Sequence, residues 1–168
     1  MLKKKLSVIV PVYNEEKTII ATLKRLEETK DTRVEYEVIV INDGSTDNTL
    51  KMLRSNVSLY QHLIDGKQNL GKGYAVKRGL EFSTGDYIIF QDGDLEYDPA
   101  DFSKFIDIIQ KFEADLIIGS RFNYNKYTRS FNILNKLGNY VLTFFLIFYI
   151  ILPLRIYIVV ICVLRNIY

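Results

Sequence analysis

Short apolar runs alternate with stretches of helical periodicity along most of this chain, and that alternation leaves few folds open. Leu6 to Val12 is a β-branched run of strand length, with Pro11 near its end, where a strand tolerates it. Ile19, Ile20, Leu23 and Leu26 then recur at helical spacing to about Lys30, with Asn14 as the expected cap and Glu15 and Glu16 in a favourable first turn. Tyr36 to Ile41 is a second strand, apolar enough to be covered on both faces. The turn-rich segment Asn42 to Asn48 leads into a short helix bearing Leu50 and Leu53. Val57 to Leu63 reads as a weaker third strand, Asp65 to Gly73 as a loop, and Tyr74 to Phe82 as a helix in which Gly79 permits close packing. Asp86 to Gln91 is a fourth strand. Pro99 opens a helix with Phe102, Phe105, Ile106 and Ile109 on one face, and Leu116 to Gly119 is a fifth strand. The order β-α-β-α-β-α-β-α-β predicts an α/β fold: a doubly wound, mostly parallel sheet with helices on both faces.

Such sheets bind ligands outside the carboxyl ends of their strands. Tyr13 to Glu16, Asn42 to Asp47, Asp92 to Asp98 and Arg121 all follow predicted strands, so one cleft collects them. Asp92-Gly93-Asp94 is the chemically loudest of these. Two carboxylates separated by one small residue aim oxygens at a single hard cation and leave positions open for a ligand's phosphates. Lys72 and Arg121 beside these acids suit a metal held together with a phosphorylated ligand. Asp43 is a candidate acceptor for ribose or base. Gly66 to Lys72 approaches a P-loop pattern, but Gly73 stands where a Ser or Thr must hold magnesium, so the loop reads as a phosphate-side turn and not as an NTPase. A nucleotidyltransferase would carry a glycine- and arginine-rich loop after the first strand, where Pro11-Val-Tyr-Asn-Glu15 stands instead.

Charge is divided unevenly. All 20 acidic residues precede Leu116, whereas six of the 22 basic ones follow Asp115: Arg121, Lys126, Arg129, Lys136, Arg155 and Arg165. That split points the C-terminal part toward a membrane surface or another anionic partner, with no nucleic acid implied. Cys162 is the only cysteine, which excludes an intrachain disulfide and fits a reducing compartment. Lys3-Lys4-Lys5 precedes too short an apolar run for a secretory signal. The lone His62 sits on a predicted strand without a second ligand type and reads as structural.

Five segments carry a resemblance: Val8 to Glu15 (VIVPVYNE), Val38 to Asp47 (VIVINDGSTD), Asn69 to Ala75 (NLGKGYA), Gln91 to Pro99 (QDGDLEYDP) and Gly119-Ser-Arg121. In this order and spacing the chain resembles the family 2 glycosyltransferases with a Rossmann-like GT-A fold, over about residues 5 to 140. Its likeness is greatest to the dolichyl-phosphate mannose synthase and polyprenyl-phosphate glycosyltransferase branch. The resemblance implies a nucleotide-sugar donor of the GDP-mannose or UDP-glucose type, Mg2+ or Mn2+, and inverting transfer to a polyprenyl or dolichyl phosphate or another glycan acceptor. Carried over by position, Pro11, Tyr13, Glu15, Ile41 and Asp43 hold the nucleoside, with Lys72 and Gly93 also on the donor side. Asp92 and Asp94 bind metal and diphosphate, Glu96 is a further metal ligand, and Arg121 faces phosphates or acceptor. The implied location is cytoplasmic, at the inner face of a membrane or anchored to it.

Three segments are expected: a nucleotide-sugar-binding core over 1–121, a basic, aromatic acceptor-side segment over 122–143, and an apolar tail over 144–168. After Thr143 the chain departs from the family's usual L-T-D-M-H-T-G-Y-K-V-F-K stretch. Tyr140 to Leu164 is long enough for a membrane helix, although Pro153 and Arg155 interrupt it. The tail is better read as a frameshift or truncation. Compatible AT-rich codons read one base earlier give Thr-Asp, an aromatic residue four positions on, and Phe-Lys beyond. On that reading the donor half is present while part of the acceptor side is missing, and transfer is impaired. The alternative function is a non-catalytic, membrane-tethered remnant that binds nucleotide sugar.

Overall fold

The structure, a computed structural model, describes residues 3–95, 97–112, 116–120 and 159–165. The chain divides into two compact units, Met1–Gly119 with Ile161–Tyr168, and Ser120–Val160. The fold described here is that of the first. Its elements in chain order are β1 (Lys5–Val12), α1 (Ile19–Glu28), β2 (Glu35–Asn42), α2 (Thr49–Arg54), β3 (His62–Asp65), α3 (Lys72–Phe82), β4 (Tyr87–Phe90), α4 (Phe102–Phe112), β5 (Leu116–Ser120) and β6 (Val159–Arg165). The expected segment 122–143 and residues 144–158 of the tail lie outside the described residues. Among the described residues no helix is long and apolar enough to cross a membrane.

The sheet runs β3-β2-β1-β4-β6-β5. The β1–β2, β1–β4 and β2–β3 pairs are parallel, as alternation with helices demands. Both faces of the central strands are buried. Ile9, Ile39, Ile41 and Ile88 form one cluster with Ala75 of α3, while Val8, Val10, Val38 and Val40, of opposite parity, are equally inaccessible. Since successive strand residues point to opposite faces, the sheet is covered on both. Gly79 lets α3 lie close: a Cβ there would sit 2.5 Å from Ile9 Cγ2 and 2.9 Å from Ile41 Cδ1.

Three local expectations are corrected. Helix α1 begins at Ile19 with Thr18 at its cap, not at Asn14. Asn14 takes a left-handed φ of 54° and spends its side chain on Thr46, whose N–H donates to Asn14 Oδ1 at 2.8 Å. Val57–Leu59 is a 3-10 turn, and the third strand starts only at His62. There Tyr60 turns inward, its hydroxyl donating to the Leu53 carbonyl at 2.9 Å, and ladder pairing waits until the chain has passed it. Finally, Val159–Arg165 is a strand antiparallel to β4, with Tyr87 opposite Arg165 and Ile88 opposite Leu164. This corrects the reading of Tyr140 to Leu164 as a spanning helix over its last residues. The run VVICV is β-branched and suits a strand beside the open edge of β4.

The amino ends of β1, β2 and β4 are fastened by one buried carboxylate. Glu37 on β2 accepts from Lys5 Nζ at 2.7 Å, Ser7 Oγ at 2.6 Å, the Thr84 N–H at 2.8 Å and Thr84 Oγ1 at 2.6 Å. Ser7 Oγ in turn accepts from the Gly85 N–H at 2.9 Å. Burial pushes the Glu37 carboxyl up, but the donors from Lys5, Ser7 and Thr84 outweigh it and bring the pKa from an ordinary 4.5 to about 2. The folded state therefore gains stability from this group above pH 4.5 and loses it as pH falls toward 2. The shift corresponds to about 3 kcal/mol. Urea unfolding of Glu37→Gln is expected to show a loss of about 2 kcal/mol at pH 7 and almost none at pH 2.

Candidate active site

Loops leaving the carboxyl ends of β1, β2, β3 and β4 converge, and the first two are stitched together residue by residue. The Asn14 N–H donates to Ser45 Oγ at 2.9 Å, the Glu15 N–H to Thr49 Oγ1 at 2.8 Å, and the Asn48 N–H to Glu16 Oε2 at 3.0 Å. Glu15 itself is half-buried, its Oε2 taking the Thr18 hydroxyl at 2.6 Å. Tyr13 stands exposed beside it, and Pro11 is half-buried at the strand's end.

Asp43 is buried, and both its oxygens are engaged. Oδ1 accepts from the Leu70 N–H at 3.0 Å and Oδ2 from the Gly71 N–H at 2.8 Å. It thus pins the glycine loop between β3 and α3 against the β2–α2 turn. Gly44 allows that contact. Its φ is +68°, and a Cβ there would lie 2.4 Å from the Gln68 carbonyl carbon and 2.7 Å from the Asn69 nitrogen. The sequence reading of Asp43 as a ribose or base acceptor had no sight of this role. Ile41, carried over as a nucleoside contact, is 3% exposed and packs in the core cluster with Ala75 of α3.

Asp92-Gly93-Asp94 follows β4 directly. Asp92 is half-buried, Gly93 buried and Asp94 exposed. A Cβ on Gly93 would meet Val12 Cγ1 at 3.2 Å and Glu15 Cγ at 3.5 Å, so the acidic turn lies against the β1 loop. Lys72, the first residue of α3, places Nζ 2.6 Å from Asp92 Oδ1. Farther along the turn, Arg25 of α1 binds Asp98 at 3.2 Å, and that guanidinium holds the Asp98 carboxyl below the usual range. Asp98 also accepts from the Ala100 N–H at 3.0 Å, capping the turn that opens α4.

The structure therefore brings Tyr13, Glu15, Asp43, Lys72, Asp92, Gly93 and Asp94 to one end of the sheet. Glu96 and Arg121 lie outside the described residues. Two residues that the sequence reading missed sit beneath the turn. Thr22 Oγ1 donates to the Gly93 carbonyl at 3.0 Å, and Gln91 Nε2 donates to the carbonyls of Asp92 and Tyr97 at 3.0 and 3.1 Å. Only a polar residue at a buried position signals them in the sequence.

Among the described residues no group of three His, Cys, Asp or Glu side chains could hold a metal ion alone. Asp92 and Asp94 nevertheless fit a hard divalent cation of the kind that takes one or two carboxylates and completes its shell with water and substrate phosphates. Lys72, already paired to Asp92, places a positive group beside these carboxylates.

A parallel β3-β2-β1-β4 sheet joined by an antiparallel strand beside β4, with loops converging at its carboxyl ends, is the GT-A fold. The chain belongs to glycosyl transferase family 2, whose sequence model matches residues 7–165. That match continues past Thr143, where the motif reading saw the family pattern end, and takes in β6. The chain is 41% identical over 129 residues to a dolichyl-phosphate beta-glucosyltransferase of Dictyostelium discoideum, covering 69% of this chain and 39% of the relative. It is 33% identical over 125 residues to a dodecaprenyl-phosphate galacturonate synthase of Rhizobium johnstonii, covering 70% and 36%. Among solved structures, S. aureus TarS 1-349 in complex with UDP-GlcNAc superposes with a TM-score of 0.60 at 26% identity, covering 74% of this chain and 37% of that one. The chain thus spans well under half the length of these relatives. The expected fold and the expected family both hold.

Proposed function

We propose that this chain is a metal-dependent, inverting glycosyltransferase that moves a hexose from a nucleotide sugar to a polyprenyl or dolichyl phosphate. The observation that carries the reading is the placement of Asp92 and Asp94 at the carboxyl end of β4, beside Lys72 and the loop pinned by Asp43. Relatives named for lipid-phosphate acceptors support the acceptor class.

In the reaction the bond between the sugar's anomeric carbon and the donor diphosphate breaks as one forms to an acceptor phosphate oxygen on the opposite face. A divalent ion, when bound, neutralises charge developing on the departing diphosphate. Asp92 and Asp94 would hold that ion. Lys72 turns from Asp92 to the diphosphate, adding a donor where negative charge grows. Asp43 keeps the glycine loop in place so that α3, with Lys72 at its start, faces the ligand. The acceptor phosphate is anionic at neutral pH and needs no general base to attack. The reaction belongs at the cytoplasmic face of a membrane, where such an acceptor resides and where the basic C-terminal part finds anionic headgroups.

Turnover is tested by manganese-dependent hydrolysis of, or transfer from, a panel of GDP- and UDP-sugars with short polyprenyl phosphates, using Asp94→Ala as control. Turnover lost in that variant supports the reading. Binding of a nucleotide sugar with no turnover, in the presence of acceptor, would favour the non-catalytic remnant.

A further inference from the structure

We infer that Gln91 and Thr22 are positioning residues that set the geometry of the Asp92-Gly93-Asp94 turn for its cation. The inference rests on the metal reading above and goes beyond it. Gln91 is fully inaccessible, and its backbone N–H donates to the Ile9 carbonyl at 3.0 Å, extending the ladder between β4 and β1. Its side chain then does something a core residue has no need to do. Nε2 reaches the Asp92 carbonyl at 3.0 Å and the Tyr97 carbonyl at 3.1 Å, closing the two ends of the acidic turn onto one amide. The other amide atom, Oε1, is buried with no hydrogen-bond partner among the described residues. A buried acceptor left unpaired costs stability, and an unbranched apolar side chain of the same length would avoid that cost. The position is thus worse for the fold than it needs to be, and what the amide gives in return is the fixed turn.

Thr22 grips the same turn from the other side. It is fully buried on α1, and its hydroxyl reaches the Gly93 carbonyl between the two aspartates at 3.0 Å, closer than the Thr18 carbonyl at 3.2 Å on its own helix. Together the two side chains bind the carbonyls of Asp92, Gly93 and Tyr97. Buried Gly93 lies tight against Val12 and Glu15, so the turn has little room to shift on that side. The carboxylates on either side of Gly93 therefore project from a backbone held at several points. Groups that orient metal ligands in this way typically change metal affinity about 10- to 100-fold when removed.

The test is binding of Mn2+ alone to the full chain, read from the loss of the free ion's electron paramagnetic resonance signal, alongside urea unfolding. For Gln91→Met the expectation is Mn2+ affinity about 10- to 100-fold weaker with cooperative unfolding retained. Thr22→Val is expected to weaken Mn2+ at least about 10-fold, and Thr22→Ser, which keeps the hydroxyl, to restore it. Unchanged Mn2+ affinity in Gln91→Met and Thr22→Val, with wild-type binding intact, overturns the positioning roles and leaves the metal site standing. Loss of folding in Gln91→Met overturns the role of Gln91, because it shows the amide to be needed by the core; the Thr22 pair then decides for Thr22. No Mn2+ binding by the wild type overturns the metal reading itself.

Discussion

Gly44→Ala is expected to lower stability by about 3 kcal/mol and to weaken nucleotide diphosphate binding at least about 10-fold. Two costs add. The native φ of +68° is strained for any residue with a Cβ. The new methyl would also stand 2.4 Å, 2.6 Å and 2.7 Å from Gln68 C, Gln68 Cα and Asn69 N, which are backbone atoms and cannot rotate aside. The glycine loop must retreat, and Asp43 then loses the Leu70 and Gly71 N–H donors that hold it there. Asp43 is buried, so a carboxylate stripped of those donors is costly in its own right. Denaturant unfolding reads the first effect and calorimetry with UDP and GDP the second. Wild-type stability in Gly44→Ala would show that the loop is not held against the turn.

Asp94→Ala is expected to reduce kcat/KM at least about 100-fold while moving stability by no more than about 0.5 kcal/mol. The separation follows from where the residue stands. Asp94 is exposed on a turn whose backbone is held by Thr22 and Gln91, so removing its carboxylate leaves the packing of the sheet intact. On the proposed function it removes one of two acidic ligands for a cation that would stabilise the leaving diphosphate, an effect worth several kcal/mol in transition-state terms. Asp92→Ala also strips Lys72 of its partner at 2.6 Å. Initial rates with the active donor, together with a thermal melt, check both halves of the prediction.

Hydrophobic patterning made the sheet legible because both parities of β1 and β2 are apolar and both are buried. The helix with Phe102, Phe105, Ile106 and Ile109 was equally plain, since those residues are its buried stripe. Gly79 was readable as a close-packing site because a helix interior rarely keeps a glycine without need. What patterning could not give was pairing between distant segments. The strand Val159–Arg165 is a continuous apolar run, and such a run looks the same whether it becomes a strand or part of a membrane helix. Val57 to Leu63 misled for a related reason: Tyr60 turns inward onto Leu53 and delays the ladder, a contact invisible in sequence. At the site, the carboxylates announced themselves by spacing, whereas the partners of Asp43 did not. Its ties to Leu70 and Gly71 cross 27 and 28 residues of sequence. Glu37 escaped notice altogether because an acid inside a strand reads as a solvated position until its four donors are seen.

On the proposed function, a divalent ion and a nucleotide diphosphate meet on the Asp92-Gly93-Asp94 turn. Calorimetric titration of the full chain with UDP and with GDP, in Mn2+ and then in excess EDTA, tests it most directly. One of the two nucleotides is expected to bind at least about 10-fold more tightly with Mn2+, and Asp94→Ala to abolish the gain while leaving the weak metal-free binding in place. Equal affinity with and without the ion, or a Mn2+ gain that survives in Asp94→Ala, would contradict it.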